Sequence, residues 1–165
     1  MERSRTCCFI GHRKLPRGSN KYIFPRVTAG IRYLHDRGYT DFIVGGTVGF
    51  DTFVARILTC EKVMGYDMKL HLFLPCKDQT VFLSGTEQIA YREILHATDD
   101  ITYISDTDHP GCIEQRNQAM VDASSACIAY ITDLQSEEAQ TLHMAKQAGL
   151  EVFNVGPEIA QHFMK

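Results

Sequence analysis

The first 14 residues, MERSRTCCFIGHRK, hold an apolar run of only four, Cys7 to Ile10, which is too short for a secretory leader. No stretch of the chain approaches the ~20 consecutive apolar residues that span a bilayer. A cytoplasmic location with no membrane partner is therefore expected. A cationic excess is also missing: 17 Lys+Arg face 20 Asp+Glu, a formal charge of −3. Affinity for a phosphate backbone comes largely from clustered cations, so nucleic acid is not expected as the main partner. The six cysteines show no C-x-x-C pair and no regular spacing, and neither Cys7, Cys8 and His12 nor His109 and Cys112 make a zinc spacing. They read as reduced, small, buried hydrophobes, and no metal is expected. There is no G-x-G-x-x-G and no Walker sequence, which disfavours an ordinary NAD enzyme or NTPase. Linkers, repeats and low-complexity tracts are absent too, and 165 residues suit one domain over 1–165.

What the chain does have is alternation. Short apolar runs occur at 7–10 (CCFI), 41–44 (DFIV), 69–74 (KLHLFL), 101–104 (ITYI), 126–131 (ACIAYI) and 151–155 (EVFNV). Helical patterns separate them. Val27, Ile31 and Leu34 repeat at i, i+4, i+7, and Gly38 and Gly65 are suitable stops. Runs apolar throughout suit strands buried on both faces. The expected fold is an α/β, Rossmann-like domain: an open, mainly parallel sheet with helices on both faces. The segment LPRGSNKYIFP, 15–25, reads as the longest irregular piece, a flap beside Arg13.

Ligands of such sheets sit outside the strands' carboxyl ends. There the sequence places Gly11-His12-Arg13, then Gly45-Gly46-Thr47-Val48-Gly49-Phe50-Asp51, then Pro75-Cys76-Lys77-Asp78-Gln79. Three glycines within five residues imply close backbone approach or repeated positive φ. Opening a helix, such a loop aims free N–H groups and a positive dipole end at one point, which suits phosphate or carboxylate. Asp51 alternatively caps its own helix. Arg13 can grip phosphate bidentately, and Arg116-Asn117 adds a cation and an amide. Cys76 is the thiol to test for nucleophilic character, against a simple small residue after Pro75.

The motifs CCFIGHR, GGTVGFD, LPCKDQ and GCIEQRNQAMVDASSACIAY resemble, in that order, the stand-alone bacterial YpsA-like branch of the SLOG superfamily. That Rossmann-like superfamily also holds the Lonely-Guy phosphoribohydrolases and the DNA-uptake processing protein. The resemblance implies a nucleotide or nucleotide-derived ligand at the strand ends, and a homodimer. By position it carries over Gly11, His12 and Arg13; Gly45, Gly46, Gly49, Phe50 and Asp51; Pro75, Cys76 and Gln79; and Arg116, Asn117, Met120, Asp122 and Ser124. The sequence departs from its relatives after the fifth run. A glycine-rich loop that contacts phosphate and precedes a catalytic glutamate is replaced by ITDLQSEEAQT, with Thr141 but no glycine.

Three readings compete. The first is a nucleotide-binding or nucleotide-sensing domain, with phosphate held by the Gly45–Asp51 loop (Thr47 included) and Arg13. The second is a hydrolase cleaving an N-glycosidic or phosphoester bond, with Asp51, Glu137 or Glu138 as acid/base groups. The third is single-stranded DNA binding. The acidic balance opposes the third and the missing glycine loop the second, so the first is preferred, with no cofactor assigned.

Overall fold

The structure is a computed structural model that describes residues 1–77 and 83–156. Six parallel strands, β1 (Thr6–Gly11), β2 (Asp41–Val44), β3 (Lys69–Cys76), β4 (Asp100–Ser105), β5 (Ala126–Tyr130) and β6 (Glu151–Asn154), form one sheet in the order β4-β3-β2-β1-β5-β6. Between them run α1 (Asn20–Asp36), α2 (Phe50–Val63), α3 (Gly85–Ala97), α4 (Cys112–Asp122) and α5 (Glu137–Gln147). The Rossmann-like architecture is as the sequence implies. The chain works outward from β1 to β4, then returns across the sheet through α4 to place β5 on the other side of β1. That reversal makes the β1/β5 boundary the topological switch point, where such sheets open a crevice.

The period-2 geometry of a strand sends alternate side chains to opposite faces. Cys7, Phe9, Phe42, Val44, Leu70, Leu72 and Leu74 pack with α1, α2 and α3. Cys8, Ile10, Ile43, Phe73, Cys127 and Ala129 pack with α4 and α5 through Met120, Val121, Leu142 and Ala145. Of the six cysteines, Cys7, Cys8, Cys76, Cys112 and Cys127 are buried and Cys60 is exposed. Among the described residues no helix is long and apolar enough to cross a membrane.

Three expectations are corrected. The segment 15–25 is not a flap throughout, because α1 begins at Asn20 and contains Pro25. Its breaker residues hid the helix start; Pro25 is held there although it gives up one helical N–H. The run at 101–104 is not buried on both faces: β4 is an edge strand, with Ile101 and Tyr103 exposed. Asp51 is not an N-cap, since Gly49 holds that position and Asp51 lies in the first turn of α2.

Gly49 adopts φ +101°, ψ −112°, a region open in practice to glycine. A Cβ there would collide with the carbonyl of Arg13 and come within 2.8 Å of the His12 oxygen. The loop after β1 thus lies directly on the start of α2, and Phe50 N–H donates to the His12 carbonyl at 3.1 Å. Gly111 also has positive φ, +87°, but faces open space. Urea unfolding should therefore separate the two: Gly111→Ala should cost about 1–2 kcal/mol of strain, and Gly49→Ala about 3 kcal/mol or more, because overpacking adds to strain. Equal costs would show that the loop yields freely around position 49.

Candidate functional site

A two-lobed cleft opens over the C-terminal ends of β1, β2 and β3. Its inner lobe, about 60 Å³, is formed by the end of β1, the loop after β2 and the facing sides of α4 and α5. The outer lobe, about 220 Å³, extends over Pro75 and Cys76 at the end of β3 toward Glu87 and Asp108. Arg13, Thr47, Ile113 and Arg116 line both lobes.

The inner lobe is built around the backbone of one residue, Gly45. Gly45 N–H donates to Asp51 Oδ2 at 3.1 Å, and Thr47 N–H donates to the same oxygen at 3.0 Å. On the other side the Gly45 carbonyl accepts from Arg116 Nη1. A side chain at Gly45 would press on that guanidinium, with Nη1 2.8 Å from a Cβ. At Gly46, with φ +74°, a Cβ would meet Leu74 at 2.7 Å. So each glycine of the loop has an internal reason: Gly45 for Arg116, Gly46 for β3, Gly49 for the loop after β1. Two amides expected to face a ligand instead hold a carboxylate of the protein.

Asp51 and Arg116 are both buried, 5% and 6% exposed. Burial pushes the Asp51 carboxyl up to about 6, while Arg116 and the two loop amides pull the other way. Burial lowers the Arg116 guanidinium, against the pull of Asp51. Arg116 Nε is spent on Asn117 Oδ1 at 2.8 Å, and Asn117 Nδ2 reaches Thr141 Oγ1 on α5 at 3.1 Å. Asp51 Oδ1 and Arg116 Nη2 have no hydrogen-bond partner among the described residues. Neither atom is among the fully buried unpartnered ones, which are the hydroxyls of Thr28 and Thr52, and both residues line the inner lobe.

His12 stands behind this lobe rather than in it. Thr132 N–H donates to its Nε2 at 2.9 Å, a bond that requires Nε2 to be unprotonated. Its Nδ1 lies 3.6 Å from Glu138 Oε2, and its ring meets Tyr130 edge-on. Phe50, fully buried, stacks on Tyr130 at 5.9 Å. Arg13 is exposed at the mouth, with no hydrogen bond or ion pair among the described residues.

Of the residues expected at a site, Gly11, Arg13, Gly45, Thr47, Asp51, Arg116 and Asn117 line the inner lobe, and Gly46 and Pro75 the outer. His12, Gly49 and Phe50 support it from behind, and Gln79 lies outside the described residues. Met120 lines the cleft; the Asp122 carboxylate accepts from Gln118, and Ser124 caps a carbonyl at the end of α4. Glu87 and Ile113 went unread, and Cys112 was weighed only as half of a zinc spacing. Ile113, Arg116, Asn117 and Met120 fall at i, i+3, i+4, i+7, so one face of α4 could have been traced from its spacing.

The raised Asp51 value gives a stability test. Relative to the unfolded chain, at its ordinary 3.8, the fold favours the protonated form. This contribution is complete below about pH 4 and is lost as pH rises through about 6. Asp51→Asn keeps an acceptor for the loop amides and does not titrate. Between about pH 4 and pH 7 the wild type should lose roughly 3 kcal/mol relative to that variant in urea unfolding. A constant difference across this range would mean that the carboxyl titrates normally.

A solved structure described as revealing the single-stranded DNA binding mode of DNA processing protein A from Helicobacter pylori superposes with a TM-score of 0.63. Identity is 18%, over 90% of this chain and 64% of that one, and the likeness is one of fold. The SPbeta prophage-derived protein YoqJ of Bacillus subtilis (strain 168) is 24% identical over 131 residues, covering 71% of this chain and 77% of that protein. A YpsA family model, described as the YspA SLOG family, matches residues 16–152, from the segment before α1 into β6. The GHR motif after β1 lies just before that range. With most of its length so matched, the chain belongs to the YpsA-type SLOG family.

Proposed function

We propose that the cleft binds a nucleotide or nucleotide-derived small molecule, for sensing or carriage. Arg13 carries this reading: an exposed guanidinium without a partner among the described residues, at the junction of two lobes over the sheet's switch point. A forked cation so placed suits the phosphate of a small ligand. Membership of a SLOG family supports a nucleotide- or DNA-related ligand. The structural relative's title names single-stranded DNA, yet Glu87, Asp108, Glu137 and Glu138 around this cleft would repel a long polyanion. An oligonucleotide therefore belongs in the test as a competitor class.

A thermal-shift screen of nucleotides, dinucleotides and a single-stranded oligonucleotide tests the proposal, with product analysis by mass spectrometry to detect turnover. A ligand at 100 times its Kd should stabilise the fold by about 2.7 kcal/mol. Arg13→Ala should weaken that ligand at least tenfold, as expected for about 1.5–3 kcal/mol per charged hydrogen bond, and leave the unliganded melting temperature unchanged. Preference for the oligonucleotide would replace the small-ligand reading.

Cytoplasmic self-association belongs to the same proposal. An apolar groove of about 850 Å³ between α2 and α3, with Ile89 60% and Leu95 37% exposed, offers a face for a second copy. Light scattering at micromolar concentration should return twice the 18.7 kDa chain mass; a single-chain mass would remove the dimer.

A further inference from the structure

The inner lobe is poorly suited to phosphate. The Gly45 and Thr47 amides are already committed to Asp51 Oδ2, and three carboxylates, Asp51, Glu137 and Glu138, line the space. An acceptor-only anion would meet acceptors. Asp51 and Arg116 both line the lobe, and the atoms they leave without a partner among the described residues are of opposite kind: Asp51 Oδ1 accepts, and Arg116 Nη2 donates. Both belong to side chains more than nine-tenths buried. Both are fixed relative to each other through the Gly45 backbone, bonded to Asp51 at its N–H and to Arg116 at its carbonyl.

A hydroxyl is the group that answers such a pair, because one O–H both donates and accepts. A phosphate lacks the donor and an ammonium lacks the acceptor. The lobe, about 60 Å³, has room for roughly four waters at ~15 Å³ each. That is enough for the hydroxyl-bearing edge of a furanose. We infer that the inner lobe receives the 2′,3′-diol of a ribose, with Asp51 Oδ1 accepting from a hydroxyl and Arg116 Nη2 donating to it. The inference rests on the nucleotide reading and assigns its parts: sugar inward on Asp51 and Arg116, phosphate outward on Arg13. The ligand is thus a ribonucleotide derivative with a free diol.

Calorimetric titration of the full chain with the four 5′-ribonucleoside monophosphates and their 2′-deoxy counterparts tests this. At least one ribonucleotide should bind, with its deoxy counterpart about tenfold weaker or more, as for loss of one hydrogen bond to a charged group. Asp51→Asn, which keeps an acceptor for the loop amides and turns the free acceptor into a donor, should bind the two sugars equally. Equal affinity for both sugars in the wild type would overturn the diol assignment and leave the nucleotide proposal standing; this comparison needs no variant to fold. Absence of binding by either series at millimolar concentration would overturn both.

Discussion

The backbone of Gly45 is held from both sides, by a carboxylate at its N–H and a guanidinium at its carbonyl, and the rest of the cleft depends on that grip. Asp51 comes from α2 and Arg116 from α4, helices on opposite faces of the sheet. Two charges buried this deeply are costly unless each finds hydrogen bonds. Here the backbone between them supplies those bonds, so the charges need not touch. The loop after β2 is thereby fixed to both helical layers, and every group that lines the inner lobe is placed relative to it.

A second constraint works beside the first. The loop after β1 presses its carbonyls onto the start of α2, which only glycine at 49 permits. This sets where Arg13 emerges. His12 is bonded to the backbone beyond β5 and adjoins Glu138 at the start of α5. The central strands β1, β2 and β5 are therefore joined at their carboxyl ends by side chains as well as by the sheet ladder.

Much of the architecture was legible because a strand covered by helices on both faces must be apolar without alternation. The six runs at Cys7, Asp41, Lys69, Ile101, Ala126 and Glu151 all became strands. Strand order was not legible, since pairing such as Cys8 with Cys127 joins residues with no local signature. The run at 101 misled because an edge strand can keep Ile101 and Tyr103 exposed without changing composition. At the site, residue types were readable and bond directions were not. Asp51 before a helical pattern looks the same whether it caps that helix or reaches back to the preceding loop. The glycines signalled close approach correctly, but what approaches them is Arg116, Leu74 and the backbone of Arg13.

Among the described residues the cleft takes its lining from β1, β3, the loops after β1, β2, β3 and β4, and four helices, α2 to α5; neither β4 nor β6 contributes a strand residue. The two edge strands act on the cleft only indirectly, β4 through Asp108 in the loop that follows it and β6 through Asn154, which brackets Ile131 beside the Thr132 amide that holds His12. A reporter or a tether placed on the exposed Ile101 of β4 would sit on a strand that lines neither lobe, so the sheet's edge can carry a label while the cleft stays open.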